Sequence, residues 1–291
     1  MRVTQSMLSQ NMLRNLSSSY TKMGKLQEQL NTGKKVNRPS DDPVVVMKGL
    51  GYGMQVDKVA QFQKNLGEVN NWLDSSDDAL DGVGGVLHRA RELVANAANT
   101  GTMTGKDREK IKIELEQLQS QLQDLANTKV GDKHIFSGKM TDQPLFDKAT
   151  GSYNSDAPFK EHVTIEVFDG VDLRVSTNVS DMFNNINQLF ADIKNNTDDT
   201  YDFSGALEKV DMLFDDVLTK RADIGARSNR AELMHNRLEM QEGAAKKQRS
   251  ENEDVDYEKT ITDLITSESI HRATLSVGAR IIQPSLVDFL R

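Results

Sequence analysis

The sequence predicts a mainly α protein: an elongated multi-helix bundle with long heptad helices formed by both halves of the chain. Its terminal helices pair as a coiled coil, and a small β-rich insertion interrupts the helices. Three observations predict this. An unbroken heptad stripe runs through the first half, apolar stripes of opposite charge occupy the two ends, and one internal stretch shifts its apolar period toward two.

The heptad stripe runs through Val59, Leu66, Leu73, Leu80, Leu87 and Val94, with Phe62, Val69, Ser76, Val83, Ala90 and Ala97 between them. Spacings of three and four never break, and Ser76 alone is polar. This is the pattern of a long helix packed along a narrow seam. At 1.5 Å per residue the stripe makes a rod of about 58 Å. Such a rod needs other helices beside it. Thr104, with Asp107 three residues on, reads as the cap of a second helix carrying Ile111, Leu115, Leu118, Leu122 and Leu125. Gly101 permits the reversal, so these two helices are expected to run antiparallel. Ser204 reads as the cap of a third, with Leu207, Val210, Phe214, Val217, Ile224, Ala231 and Leu238 on one face. Arg221, Ser228 and His235 interrupt that face.

Between about 131 and 180 the texture changes. Val163-Thr164-Ile165-Glu166-Val167 alternates, Asp169-Gly170 is a hairpin turn signal, and Leu173-Arg174-Val175 alternates again. Gly131, Gly138, Pro144, Gly151 and Pro158 punctuate the approach. A segment this small holds little core of its own. Helix resumes at Asp181 with Phe183, Ile186, Leu189, Phe190 and Ile193 on one side. The expected organisation is a terminal coiled-coil domain from 1–42 and 252–291, a helical-bundle domain from 43–137 and 181–251, and a β-rich outer domain at 138–180.

Residues 1–40 carry a net charge of +6, and residues 251–268 a net charge of −6. Both ends also show helical apolar spacing. Met12, Leu16, Met23, Leu26 and Leu30 form one stripe; Tyr257, Ile261, Leu264, Leu275, Ile282 and Phe289 form the other. The ends are therefore expected to pair with each other. Sparse stripes lead us to expect them loose in a lone copy and ordered in an assembly. Met12, Leu16, Met23, Leu26, Leu30, Leu264, Leu275, Ile282, Leu286 and Phe289 are the expected assembly interface.

Little in the chain suggests chemistry. The 291 residues carry a net charge of −8, which gives no overall attraction to nucleic acid. No apolar run is long enough for a membrane span, and no cleaved secretory signal is expected from the polar N-terminus. Without cysteine there is no disulfide and no thiolate chemistry. Gly49, Gly51 and Gly53 superficially suggest a dinucleotide loop, but position 54 is Met, and Asp41-Asp42-Pro43 reads as a helix start instead. Asp74, Asp77, Asp78 and Asp81 flank the heptad seam and read as a solvated helix face. The five histidines are widely separated. No enzyme activity, cofactor or metal is expected.

One stretch does carry family information. Gln27-Glu28-Gln29-Leu30-Asn31-Thr32-Gly33-Lys34-Lys35-Val36-Asn37-Arg38-Pro39-Ser40-Asp41-Asp42-Pro43 resembles the amino-terminal signature of the flagellin superfamily. Its Arg-Pro-Ser-Asp-Asp-Pro version is similar to the hook-associated branch, the FlgL type. So are the opening Met1–Gln5, the ending Ala279–Leu290, and Ile135-Phe136-Ser137-Gly138 followed by Pro144-Leu145-Phe146. The resemblance implies a structural subunit at the hook–filament junction of the bacterial flagellum, extracellular and exported by the flagellar type III apparatus. Its implied partners are itself, the preceding hook-associated protein of the FlgK type, flagellin, and an export chaperone on the C-terminal segment. A flagellin filament subunit is the nearest alternative. A cytosolic coiled-coil scaffold or signalling protein is the alternative of another class.

Overall fold

A computed structural model of the chain describes residues 5–98, 105–147, 151–154, 156–195 and 203–282. Seven helices occur among them: α1 (Gln5–Thr32), α2 (Pro43–Ala98), α3 (Gly105–Ala126), α4 (Ala157–Lys160), α5 (Ser180–Asn195), α6 (Phe203–Glu253) and α7 (Tyr257–Ile282). Six short strands pair as three antiparallel hairpins. These are β1 (Lys129–Val130) with β2 (Lys133–His134), β3 (Phe146–Asp147) with β4 (Ser152–Tyr153), and β5 (Thr164–Phe168) with β6 (Val171–Arg174). The chain divides into two compact units, Val59–Met240 and the combined Met1–Lys58 and Gln241–Arg291.

In the Val59–Met240 unit, all twelve stripe positions of α2 are buried. Trp72, Ala79, Val86 and Leu93, also spaced by seven, are buried as well. The stripe is therefore wider than the narrow seam expected, because this helix has neighbours on two sides. Ser76 satisfies itself within the helix: its hydroxyl donates to the Trp72 carbonyl at 2.6 Å.

Antiparallel packing follows from the cross-helix pairs. Leu125 of α3 lies over Gly82 of α2, and Arg89 donates to Glu114 at 2.6 Å. On the other flank Arg91 of α2 reaches Asp211 of α6 at 2.6 Å, and His88 meets the Phe214 ring edge-on at 4.5 Å. Here one reading of the sequence is extended and another corrected. Arg221, taken as an interruption of the α6 stripe, reaches Asp77 at 2.8 Å and Asp81 at 2.5 Å. The aspartates lie on a solvated face as read, and two of them also form an exposed ionic tie between helices, Asp77 being 41% and Asp81 70% exposed. Ser204 is not a cap but lies inside the first turn, since α6 begins at Phe203. The proposed cap Thr104 and the reversal at Gly101 lie outside the described residues.

The hairpin at Asp169-Gly170 forms as read, with an irregular register between Glu166 and Phe168. The insertion's core is shared with the helices. Phe183 of α5 packs on Phe136 at 5.7 Å and on Tyr153 at 5.9 Å, and Tyr153 packs on Phe146 at 4.9 Å. Gly138 explains part of the family-like motif. Its φ is +56°, and a Cβ there would sit 2.5 Å from the Phe159 carbonyl oxygen.

Candidate assembly interface

Within the unit formed by the two chain ends, α1 and α7 lie side by side and antiparallel. Met12 abuts Gly278, the Tyr20 ring meets His271 edge-on at 4.5 Å, and the Tyr257 hydroxyl overhangs Gly33. The pairing expected of the two ends is present. Met12, Leu16, Met23, Leu26 and Leu30 form the half-buried face of α1. The inward residues of α7 are Thr260, Ser267, His271 and Gly278, which are buried, and Leu264 and Thr274, which are half-buried. Large side chains on α1 thus face small and polar ones on α7, so the two helices approach closely. Without a Cβ, Gly278 leaves the space that the tip of Met12 fills.

The apolar stripe read on α7 is consequently turned the other way. Leu264 is the one member of the predicted stripe on this inward face among the described side chains. Tyr257, Ile261 and Leu275 are exposed, Leu275 by 45%, and so are Ile265, Ile270 and Val277. On α1, Met7, Leu13 and Tyr20 are exposed too. Ile282 is the last described helical residue, and Leu286 and Phe289 lie outside the described residues. The inward face could have been found from heptad spacing alone: 260, 264, 267, 271, 274 and 278 keep the rhythm of four and three. A search for apolar residues misses it because five of the six are polar or glycine. The α7 side of the seam is correspondingly poor in apolar surface. Burying Thr260, Ser267 and Gly278 removes little apolar area from water. The Nδ1 of buried His271 has no hydrogen-bond partner among the described residues.

The signature segment 27–43 builds the turn between α1 and α2. Gly33 ends α1 at φ +69°, the left-handed conformation that helix ends favour. Thr32 donates to Asn37, and Gln29 donates to the Lys35 carbonyl at 2.6 Å. Lys25 reaches Asp41 at 3.0 Å and holds its carboxyl below the ordinary range. Asp42 caps α2, accepting from the Val44 and Val45 amides at 3.0 and 3.1 Å, with Pro43 at the first helical position.

The charge complementarity of the ends is realised in direct pairs at Lys34. Its ammonium lies 2.7 Å from Asp254 and 3.2 Å from Glu253. Asp254 raises the Lys34 pKa, and Lys34 with the Ser250 hydroxyl lowers that of Asp254. Other end charges pair locally, as in Arg38 with Glu28 at 3.7 Å and Lys247 with Glu251 at 3.9 Å. Asn252 donates to the Val45 carbonyl at 2.9 Å, joining the last turn of α6 to the first of α2. A groove of about 450 Å³ opens beside this joint, walled by Val36, Pro39, Leu50 and Met54 and rimmed by Lys34 and Arg249.

Among the described residues no group of three or more His, Asp or Glu is placed to hold a metal ion. None of their helices is long and apolar enough to cross a membrane.

Comparison with known proteins agrees at both ends of the chain. Residues 3–141 match the bacterial flagellin N-terminal helical region, and residues 207–290 match the bacterial flagellin C-terminal helical region. The flagellar hook-associated protein 3 of Escherichia coli is 26% identical over 93% of each chain. That of Salmonella typhimurium is 29% identical over 53% of this chain, and the match spans about half, 49%, of the Salmonella protein. Among solved structures, Bacillus cereus FlgL superposes with a TM-score of 0.60 at 23% identity, over 69% of this chain and 99% of that one. Signature, paired terminal helices and family matches coincide, and the chain belongs to the bacterial flagellin family of structural flagellar proteins.

Proposed function

We propose that this chain is the adaptor subunit at the hook–filament junction, the part of the flagellum on which flagellin polymerises. One observation carries the assembly role. The α1/α7 pair spends small and polar side chains on its internal seam and leaves Ile261, Ile265, Ile270, Leu275 and Val277 facing water. A helix that keeps its apolar residues outward in one copy is suited to further copies, which gain the burial that the intramolecular seam forgoes. The contacts are heterologous: one face of each copy meets a different face of the next, so subunits stack around and along a tube. A seam poor in apolar surface also keeps lone copies from polymerising early, because ordering the ends is unfavourable until neighbours add contacts.

The hook-associated branch is favoured over a filament subunit by the Arg38-Pro39-Ser40-Asp41-Asp42-Pro43 signature and by the similarity to hook-associated protein 3 along nearly the whole chain. Its partners are other copies of itself, the preceding hook-associated protein, flagellin, and an export chaperone that holds the C-terminal segment before secretion. Deletion of the gene tests the reading. Cells are expected to build hooks and shed unpolymerised flagellin into the medium. Normal filaments in the deletion strain would overturn the junction role. Long fibres grown by the purified protein on filament seeds would favour the filament subunit instead.

A further inference from the structure

The chain leaves its helices twice at one level, after α1 at Gly33 and after α6 at Asp254. These two breaks are paired. The Lys35 amide donates to the Glu253 carbonyl at 2.7 Å, the Val255 amide donates to the Gly33 carbonyl at 3.0 Å, and Lys34 bridges Asp254 in antiparallel fashion. We propose that the two breaks form a single ion-latched hinge, with Lys34 held by Glu253 and Asp254 as the latch and Gly49 as the residue that makes room for it.

The geometry around Glu253 supports this. Its side chain lies directly over Gly49 of α2, and a Cβ at position 49 would collide with its carboxylate. From that seat Glu253 accepts from Lys34 at 3.2 Å and from Arg249 at 3.3 Å. Gly51 and Gly53, two and four residues on, face open space, so neither is needed for clearance. A glycine weakens a helix interior. At Gly49 that weakness has a local counterpart in the latch; at Gly51 the structure offers none.

Both connections cross the hinge together. Bending there changes the direction of the α1/α7 pair relative to the adjoining turns of α2 and α6 without unwinding either helix of the pair. Bending works against the two backbone bonds and the half-exposed latch, and also against the braces from α1 to the following turn, Lys25 to Asp41, Gln29 to the Lys35 carbonyl and Thr32 to Asn37; these are exposed, and salt weakens the ionic ones. The purpose rests on the junction reading: a subunit with hook on one side and filament on the other needs an adjustable direction for its terminal helices.

Hydrogen exchange on the purified full-length chain tests the hinge. Lys34→Gln is expected to raise exchange of the Lys35 and Val255 amides at least threefold at low salt, leaving mid-helix amides of α1 and α7 at their wild-type rates. About 1 M salt, where the Debye length is about 3 Å, should bring the wild type close to the variant. Gly49→Ala should act like Lys34→Gln, and Gly51→Ala should not. Unchanged exchange at the two amides in both Lys34→Gln and Gly49→Ala, or a rise spread evenly along α1 and α7, would overturn the hinge. Single chains are read here, so the outcome is independent of the junction role, which the deletion strain decides.

Discussion

Two seams in this molecule share one rhythm and differ in chemistry. Along α2, leucine and valine recur every three or four residues, and Leu66, Val69, Leu73, Leu80, Val83 and Leu87 are completely buried. Between α1 and α7 the spacing is the same, but α7 contributes Thr260, Ser267, His271 and Gly278. Periodicity sets which residues face inward; side-chain size and polarity set how firmly they hold. The first seam is a finished core. The second is poorer in buried apolar surface on its α7 side and leaves Ile261, Ile265, Ile270, Leu275 and Val277 exposed.

The largest expected difference is in core truncation. Leu80→Ala should destabilise the chain by about 2–5 kcal/mol, as large-to-small changes at fully buried sites do. Leu264→Ala, at a half-buried site, should cost below about 1 kcal/mol. Urea denaturation compares the two, and equal losses would erase the distinction between the seams. Next comes protease sensitivity. Limited digestion of the monomer should trim roughly the first and last 40 residues and leave a resistant remainder, since local opening follows the least buried contacts. Uniform resistance would mean the α1/α7 seam is as firm as the α2 core.

A smaller effect is expected from Arg221→Met. This removes the tie to Asp77 and Asp81, but the arginine is about a third exposed, so the loss should stay within about 1 kcal/mol. Thermal melting measures it. The smallest effect concerns pH. Lys34 holds Asp254 below an ordinary aspartate, whose pKa is about 3.9. A depressed folded pKa contributes stability that is present above about pH 4 and lost as pH falls through the folded value. Acidification from pH 6 to 3 should therefore weaken the unit formed by the chain ends, with a shallower slope in Lys34→Gln. An identical slope in both proteins would show that the latch contributes nothing to acid sensitivity.

Much of the architecture was legible because apolar period survives any detail of packing. The α2 stripe could be read that way; the Asp169-Gly170 hairpin was read from alternation and its turn signal, and the pairing of the ends from opposite charge together with matching stripes. The α1/α7 seam was legible only in half. Met12, Leu16, Met23, Leu26 and Leu30 are apolar and fall on the paired face. Their counterparts on α7 are small or polar, which an apolar search passes over, so Leu275 was placed in a seam that it leaves. The tie between Arg221 and the aspartates opposite it went unread for a related reason. Each looks solvated on its own helix, and their partnership depends on a contact 140 residues or more away in sequence.

The shared aromatic cluster of Phe136, Phe146, Tyr153 and Phe183 roots the insertion in α5, while the turn at Asp169 and Gly170 is exposed. The hairpin has its own anchors close behind that turn: Phe168 packs on Phe62 of α2 at 6.1 Å beneath the Arg237 guanidinium of α6, and Asn65 of α2 donates to the Glu166 carbonyl at 2.7 Å. A foreign peptide grafted between Asp169 and Gly170 would therefore pull directly on those contacts, and its effect on melting would report how firmly the hairpin is seated.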